Sequence, residues 1–156
     1  MKKVICIIMM VCMLLCSCSI VPISSAECAA RVDERMRTGW WAGGPYTVTQ
    51  DNDNVIRVNY WDSGISHLAW QAICGNEDAA MAWVEIKSDA DGLANEIYDY
   101  CRRQTHNDDI HVYVCLMNDL APDRELLGYM NGELYYNTCE DDALAEASLS
   151  SMIFTV

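Results

Sequence analysis

The sequence has few basic residues, and this scarcity limits the partners that it can have. Ten Lys and Arg residues stand against 23 Asp and Glu residues, so that the 156-residue chain carries a formal net charge of −13. A surface of this sign repels nucleic-acid phosphates and anionic lipid headgroups. We therefore expect no nucleic-acid partner, and membrane association only through a signal segment or a lipid anchor.

Catalytic motifs are missing as well. The only histidines are His67, His106 and His111, and the chain contains no G-x-S-x-G, H-E-x-x-H or phosphate-binding glycine loop. His111 and Cys115 would share a strand face, but four residues along a strand separate them by about 13 Å. That distance is too long for a nucleophile and its base. The sequence leaves an enzyme open, favours a non-catalytic protein and indicates no cofactor or metal.

The N-terminal residues have the pattern of an export signal. Lys2 and Lys3 precede an apolar run over residues 4–15, and the segment ends in Ser24-Ser25-Ala26. This order is typical of a secretory signal peptide, here residues 1–26. The apolar run is shorter than the roughly 20 residues that a membrane span needs. We predict that residues 27–156 form a single small domain that is secreted or held at the cell surface.

A lipoprotein signal over residues 1–17 is the alternative. The segment Leu15-Cys16-Ser17-Cys18 resembles a lipobox in which Cys18 would carry the lipid, although Cys16 is an unusual residue there. In both cases the mature domain works outside the cytoplasm. Loss of Lys2 and Lys3 with the signal leaves eight basic residues and a net charge of −15.

The mature chain keeps five of the nine cysteines. In an oxidising compartment five cysteines allow up to two disulfides and leave one thiol over. Their wide spacing gives little support to a metal site. We prefer a Cys28–Cys139 bridge, because both residues lie on terminal segments. The disulfide candidates are Cys28, Cys74, Cys101, Cys115 and Cys139.

Five segments have the pattern of β-strands. Alternating or continuous apolar runs over residues 55–61 and 110–117 predict two strands. Residues 46–50 are expected to form a hairpin with the first of them, and Asn131-Gly132 predicts a second hairpin between residues 126–130 and 133–137.

Helical periodicity fills the space between the two main strands. Residues 65–73 have one apolar face and are expected to begin at an N-cap, Asp62 or Ser63. Residues 77–104 form either one helix or two, because residues 88–92 are poor helix formers. Residues 27–37 could form one more short helix near the N-terminus.

These elements predict an α+β fold. The order β-β-α-α-β-β-β gives a two-layer sandwich with a mixed, mostly antiparallel sheet of four to five strands and two helices on one face. The strands at 55–61 and 110–117 would be parallel, because a helical crossover joins them.

The candidate binding residues are tryptophans near loops and aspartates at strand ends. Five Trp and eight Tyr stand against one Phe, and residues with an apolar body and a polar tip suit recognition surfaces. In mixed α/β sheets ligands bind at the carboxyl ends of parallel strands. The candidates are Trp40, Trp41, Trp61, Asp62, Asp119 and Asp123.

The expected function is a non-catalytic extracytoplasmic binding or interaction module, with an unknown extracellular or cell-surface ligand. One alternative is a small metal-dependent or hydrolytic enzyme that uses Asp62, Asp119 and Asp123. The other is a surface lipoprotein.

Overall fold

The computed structural model describes residues 21–141 of the chain. The predicted lipidation residue Cys18 and most of the predicted signal lie outside this range. No helix within residues 21–141 is both long enough and apolar enough to cross a membrane. The helices are α1 (Ser25–Arg35), α2 (Ile65–Ile73) and α3 (Glu77–Thr105); the strands are β1 (Tyr46–Asn52), β2 (Val55–Trp61), β3 (His111–Met117), β4 (Glu125–Met130) and β5 (Glu133–Asn137).

The five strands form one sheet in the order β1-β2-β3-β4-β5. Strands β2 and β3 are parallel, with Val55 opposite His111 at one end and Trp61 opposite Met117 at the other. The other three pairings are antiparallel. The predicted α+β class with a mixed, mostly antiparallel sheet is therefore confirmed.

The core lies on one face of this sheet. Along β2 the side chains of Ile56, Val58 and Tyr60 are buried, whereas the residues between them are half-buried. The same hydrophobic cluster includes Val32 from α1 and Ile97 from α3. One sheet face packed against helices is the predicted two-layer arrangement.

Helix α1 corresponds to the short helix expected near the N-terminus, which the predicted element order left out, so that the order within the described residues is α-β-β-α-α-β-β-β. The helix begins at Ser25 because the Ser24 hydroxyl accepts a hydrogen bond from the Glu27 N–H at 3.2 Å. It continues after Arg35 as a π-helical turn over Met36–Trp40. Cys28, Val32 and Met36, four residues apart, are fully buried, and this stripe is what docks the helix on the core.

Helix α3 is one continuous helix of 29 residues. The Asn76 side chain caps its start by accepting from the Ala79 N–H at 2.9 Å, and His106 ends it in a left-handed conformation. Buried Ala90 and Ala94 keep the poor helix-forming segment in contact with the core, so tertiary packing outweighs local propensity. A bridge between Cys74 and Cys101 is excluded, because Cys74 precedes α3 and the 24 helical positions from Glu77 to Cys101 span about 36 Å.

Candidate functional site

A cavity of about 300 Å³ lies where the segment after α1 meets the C-terminal end of β2 and the middle of α3. Its apolar lining comes from Ile65, Ile86, Leu93 and Leu116. The cavity lies at the carboxyl end of the parallel strands β2 and β3, which is the edge of the sheet at which the sequence predicted a site.

Aromatic rings form one side of this cavity, which we call the tryptophan cavity. Trp41 meets Tyr60 edge to face, with ring centroids 4.9 Å apart. Trp40 meets Tyr100 in the same way at 5.7 Å, and the Arg35 guanidinium lies 4.2 Å from the Tyr100 ring centroid. Each tryptophan is half-buried. The rings are thus held in place by neighbouring side chains.

Gly44 creates the room that Trp41 occupies. A Cβ atom at position 44 would lie 2.6 Å from Cδ1 and 2.7 Å from Cε2 of the Trp41 indole. Such distances are far below van der Waals contact, so a larger residue at position 44 would displace the ring. Sequence reasoning missed this residue, because a glycine next to proline in a loop has the same pattern whether or not a ring packs on it.

Two carboxylates stand at the exposed edge of the cavity, on Asp62 after β2 and on Asp89 from α3. Burial raises the pKa of Tyr60, and the negative charges of Asp89 and Asp62 raise that pKa further. The phenol is therefore neutral at physiological pH. The described residues that line the cavity include no Lys, Arg or His. The cavity combines an apolar aromatic wall with a negative rim.

Asp119 has a different role from the one that the sequence suggested. One carboxylate oxygen accepts from the Gly64 N–H at 2.8 Å, and the other accepts from the Ser66 N–H at 3.0 Å and from the Ser66 hydroxyl. The prediction that Asp62 or Ser63 caps α2 is wrong, because Gly64 occupies the N-cap position in a left-handed conformation. Asp119, from the β3–β4 loop, supplies the missing cap.

Replacing Asp119 with alanine is expected to cost about 1 kcal/mol of stability at neutral pH, the usual value of a lost N-cap. The Ser66 hydroxyl and the backbone N–H groups lower the pKa of Asp119. A lowered pKa means that the contribution is complete above about pH 4 and is lost as the pH falls through the native pKa. Urea unfolding of both proteins at pH 7 and pH 3 tests this.

Asp123→Ala is the matched control for that measurement, since Asp123 is exposed on the same loop. We expect it to change stability little at either pH. A stability difference between wild type and Asp119→Ala that is the same at pH 7 and pH 3 would contradict a charged cap.

The remaining candidates lie elsewhere. Trp61 points away from the cavity, on the sheet face that the helices leave uncovered, and it stands opposite Met117. Asp123 lines a shallow groove with Tyr135 and Tyr136. Of the six predicted residues, Trp40, Trp41 and Asp62 therefore meet at one site.

The enzyme alternative finds no specific support in this geometry. It would use Asp62, Asp119 and Asp123, but hydrogen bonds already engage both oxygens of Asp119. Within residues 21–141 no three His, Cys, Asp or Glu side chains are grouped so that they could hold a metal ion.

The cysteines are distributed over different parts of the fold. Cys28 and Cys101 are both fully buried in the same hydrophobic cluster, and each thiol shifts the pKa of the other. Cys28 thus faces α3, which removes the basis for the preferred Cys28–Cys139 bridge. The Cys139 sulfur lies 3.7 Å from the carbonyl oxygen of Ala69. Cys74 is exposed.

Cys115 is buried on the opposite sheet face beside Tyr135, whose hydroxyl lies 3.7 Å from the sulfur. Burial raises the pKa of Cys115 to about 12. A thiol with such a pKa is a poor nucleophile at neutral pH.

Some residues of the tryptophan cavity were not predicted. Ile86, Asp89 and Leu93 lie at i, i+3 and i+7 along α3 and therefore share one helix face, a signal that the sequence does contain. The sequence does not say which strand end that face meets.

No known protein-family model matches this chain, nor does any curated protein or solved structure.

Proposed function

We propose that the protein is an exported, non-catalytic binding module and that the tryptophan cavity is its ligand site. The observation that carries this proposal is the convergence of Trp40, Trp41 and Tyr60 with Asp62 and Asp89 around one cavity. Its volume of about 300 Å³ is at the lower end of the range for small-molecule sites. The ligand is therefore small, or it is a small group on a larger molecule.

The ligand that this cavity suits best is an organic cation with a compact apolar body. Faces of aromatic rings attract ammonium groups, and the carboxylates of Asp62 and Asp89 add charge of the matching sign. The net charge of −15 that remains after loss of Lys2 and Lys3 also raises the local concentration of cations. A quaternary or alkylated amine would bury its methyl groups against the rings while its charge faces the rim.

Choline and its neutral isostere 3,3-dimethylbutan-1-ol test this proposal, because they share shape and differ in charge. We expect choline to bind more tightly than the alcohol, by about fivefold or more for a cation–π contribution of about 1 kcal/mol. Tryptophan fluorescence and chemical-shift titrations measure both affinities. Equal affinities for the two probes would overturn the cationic ligand, and no binding of either would overturn the site.

Two sets of variants separate the parts of the site. Asp62→Asn and Asp89→Asn are each expected to weaken choline binding about two- to fivefold, as for exposed ion pairs, and to leave binding of the alcohol unchanged. Gly44→Ala is expected to weaken both probes, because it displaces Trp41. Gly39→Ala is the matched control, since a Cβ atom there meets nothing within 4 Å.

A surface lipoprotein is the second candidate, and the start of α1 favours it. The Ser24 hydroxyl caps this helix, and the Ile23 N–H donates to the Gln104 carbonyl at 3.1 Å. Cleavage after Ala26 would remove both interactions and the first residues of the helix. Cleavage before Cys18 would keep them, and the lipidated chain would present the same cavity at the membrane surface.

The intact mass of the exported protein distinguishes the two products. The helix cap leads us to expect a chain that begins at a lipid-modified Cys18. An unmodified chain that begins at Glu27 would overturn the lipoprotein and leave a secreted module. Replacement of Cys18 by alanine should abolish the lipid mass, whereas the same change at Cys16 should not.

A further inference from the structure

Helices α1 and α3 hold two cysteines against each other inside the core. Cys28 lies on the buried stripe of α1, and Cys101 lies on that of α3. Neither residue has any exposed surface, and both belong to the same hydrophobic cluster. Because the two cysteines lie on different helices, only the tertiary fold brings them together.

Contacts on both sides of this pair fix the register of the two helices. Towards the start of α1, the Ile23 N–H donates to the Gln104 carbonyl at 3.1 Å. Towards its end, the Arg35 guanidinium lies 4.2 Å from the ring centroid of Tyr100. The cysteines lie between these two contacts, so the helices cannot slide past each other without breaking one of them.

Each thiol shifts the pKa of the other. The hydrogen bond that Cys101 donates lowers the pKa of Cys28, and nearby Arg31 lowers that pKa further, against the effect of burial. The same hydrogen bond and burial raise the pKa of Cys101. Cys28 is therefore the sulfur that more readily becomes a thiolate, the form that attacks a disulfide.

We infer that Cys28 and Cys101, which are thiols in this structure, form a disulfide that links α1 to α3 in the exported protein. The inference rests on the buried contact between two elements whose register is fixed on both sides. It does not depend on the tryptophan cavity or on the ligand proposed for it. Cys74, by contrast, is exposed at the end of α2.

The oxidation is a thiol–disulfide exchange with a small-molecule or protein disulfide as the oxidant. Because neither sulfur is exposed in the folded protein, the oxidant reaches Cys28 when α1 opens from the core. The Cys28 thiolate then attacks one sulfur of the oxidant, which breaks the S–S bond of the oxidant and releases its first thiol. Cys101 then loses its proton and attacks the Cys28 sulfur of the mixed disulfide, which releases the second thiol. The protein loses two electrons and two protons, and the oxidant is reduced to two thiols.

Mass spectrometry of the exported protein tests this inference. The sample is denatured without reductant, its thiols are alkylated, and it is digested. We expect a peptide pair linked through Cys28 and Cys101, a mass about 2 Da below that of the two free peptides, and alkylation of Cys74. The full chain equilibrated with oxidised and reduced glutathione provides the same measurement if export fails.

Two variants sharpen the result. In Cys101→Ala we expect Cys28 to become alkylated, whereas in Cys74→Ala the linked peptide should be unchanged. Alkylation of both Cys28 and Cys101 in the wild type, in the exported and in the glutathione-treated sample, would overturn the inference. A linkage of either residue to another cysteine would do the same. Choline binding is measured separately, so failure of the disulfide and failure of the cavity are distinguishable.

Discussion

Replacement of Trp83 by alanine is expected to lower the free energy of unfolding by about 3–5 kcal/mol, the cost of deleting a buried tryptophan. Trp83 lies on α3 with 4% of its surface exposed, and its indole N–H donates to the Asn137 side-chain oxygen at 3.1 Å. Asn137, on the edge strand β5, is 2% exposed. This buried hydrogen bond joins α3 to β5 at the far edge of the sheet.

The loss would be a large part of the total stability, since a domain of this size has about 5–15 kcal/mol. Trp83→Phe separates packing from hydrogen bonding, because it keeps most of the ring and leaves the Asn137 oxygen without the indole donor. We expect about 0.5–1.5 kcal/mol for the lost hydrogen bond, because the Asn137 oxygen still accepts from the Cys139 N–H at 3.1 Å. Urea unfolding followed by far-ultraviolet circular dichroism measures both variants without relying on the tryptophan signal.

Trp70→Ala is the matched control. The side chain of Trp70 lies on α2 and is 61% exposed, so its removal should change stability by no more than about 0.5 kcal/mol. If Trp83→Ala were no more damaging than Trp70→Ala, the buried bond between α3 and β5 would not be a major source of stability.

The sheet could be predicted from the sequence because its information is local. The alternation in residues 55–61 matches the buried and half-buried positions of β2, since a strand with one covered face repeats every two residues. The Asn131-Gly132 turn was predictable for a similar reason. Asn131 has a φ of 55° and Gly132 a φ of 81°, and few residues other than these tolerate such angles.

The cap of α2 could not be predicted, because its two halves are far apart in the chain. Local rules choose a cap from the residues next to the helix, which gave Asp62 or Ser63. The structure uses Asp119, 53 positions beyond Ser66. Only the parallel alignment of β2 and β3 brings the two loops together, and a cap formed by the tertiary fold leaves no local pattern.

The tryptophan cavity was predictable in part. The position of Asp62 after a parallel strand indicated the correct edge of the sheet, and Trp40 and Trp41 were candidates because of their loop composition. Asp89 was missed because an exposed aspartate on a helix usually has no role beyond solubility. Its contribution depends on which face of α3 meets the end of β2, and that is set by the packing of the whole helix.

Oxidation of Cys28 and Cys101 is expected to stabilise the protein by up to about 4 kcal/mol, the chain-entropy value for a closed loop of roughly 70 residues. Without the bridge, α1 is held to α3 only by packing and by contacts such as that of Ile23 with Gln104. A terminal helix held in this way can separate before the sheet unfolds. The bridge would make its release and the unfolding of the core a single event.

The difference in urea midpoint between oxidised and reduced protein measures this effect. Cys74→Ala should show the same difference as wild type, because Cys74 takes no part in the bridge. Cys101→Ala should show no difference in midpoint between oxidising and reducing conditions. A comparison of reduced Cys101→Ala with reduced wild type gives the packing cost of the lost sulfur. An unchanged midpoint on reduction of a sample shown to contain the bridge would mean that α1 and α3 stay together in the unfolded chain, since a crosslink stabilises chiefly by restricting that state.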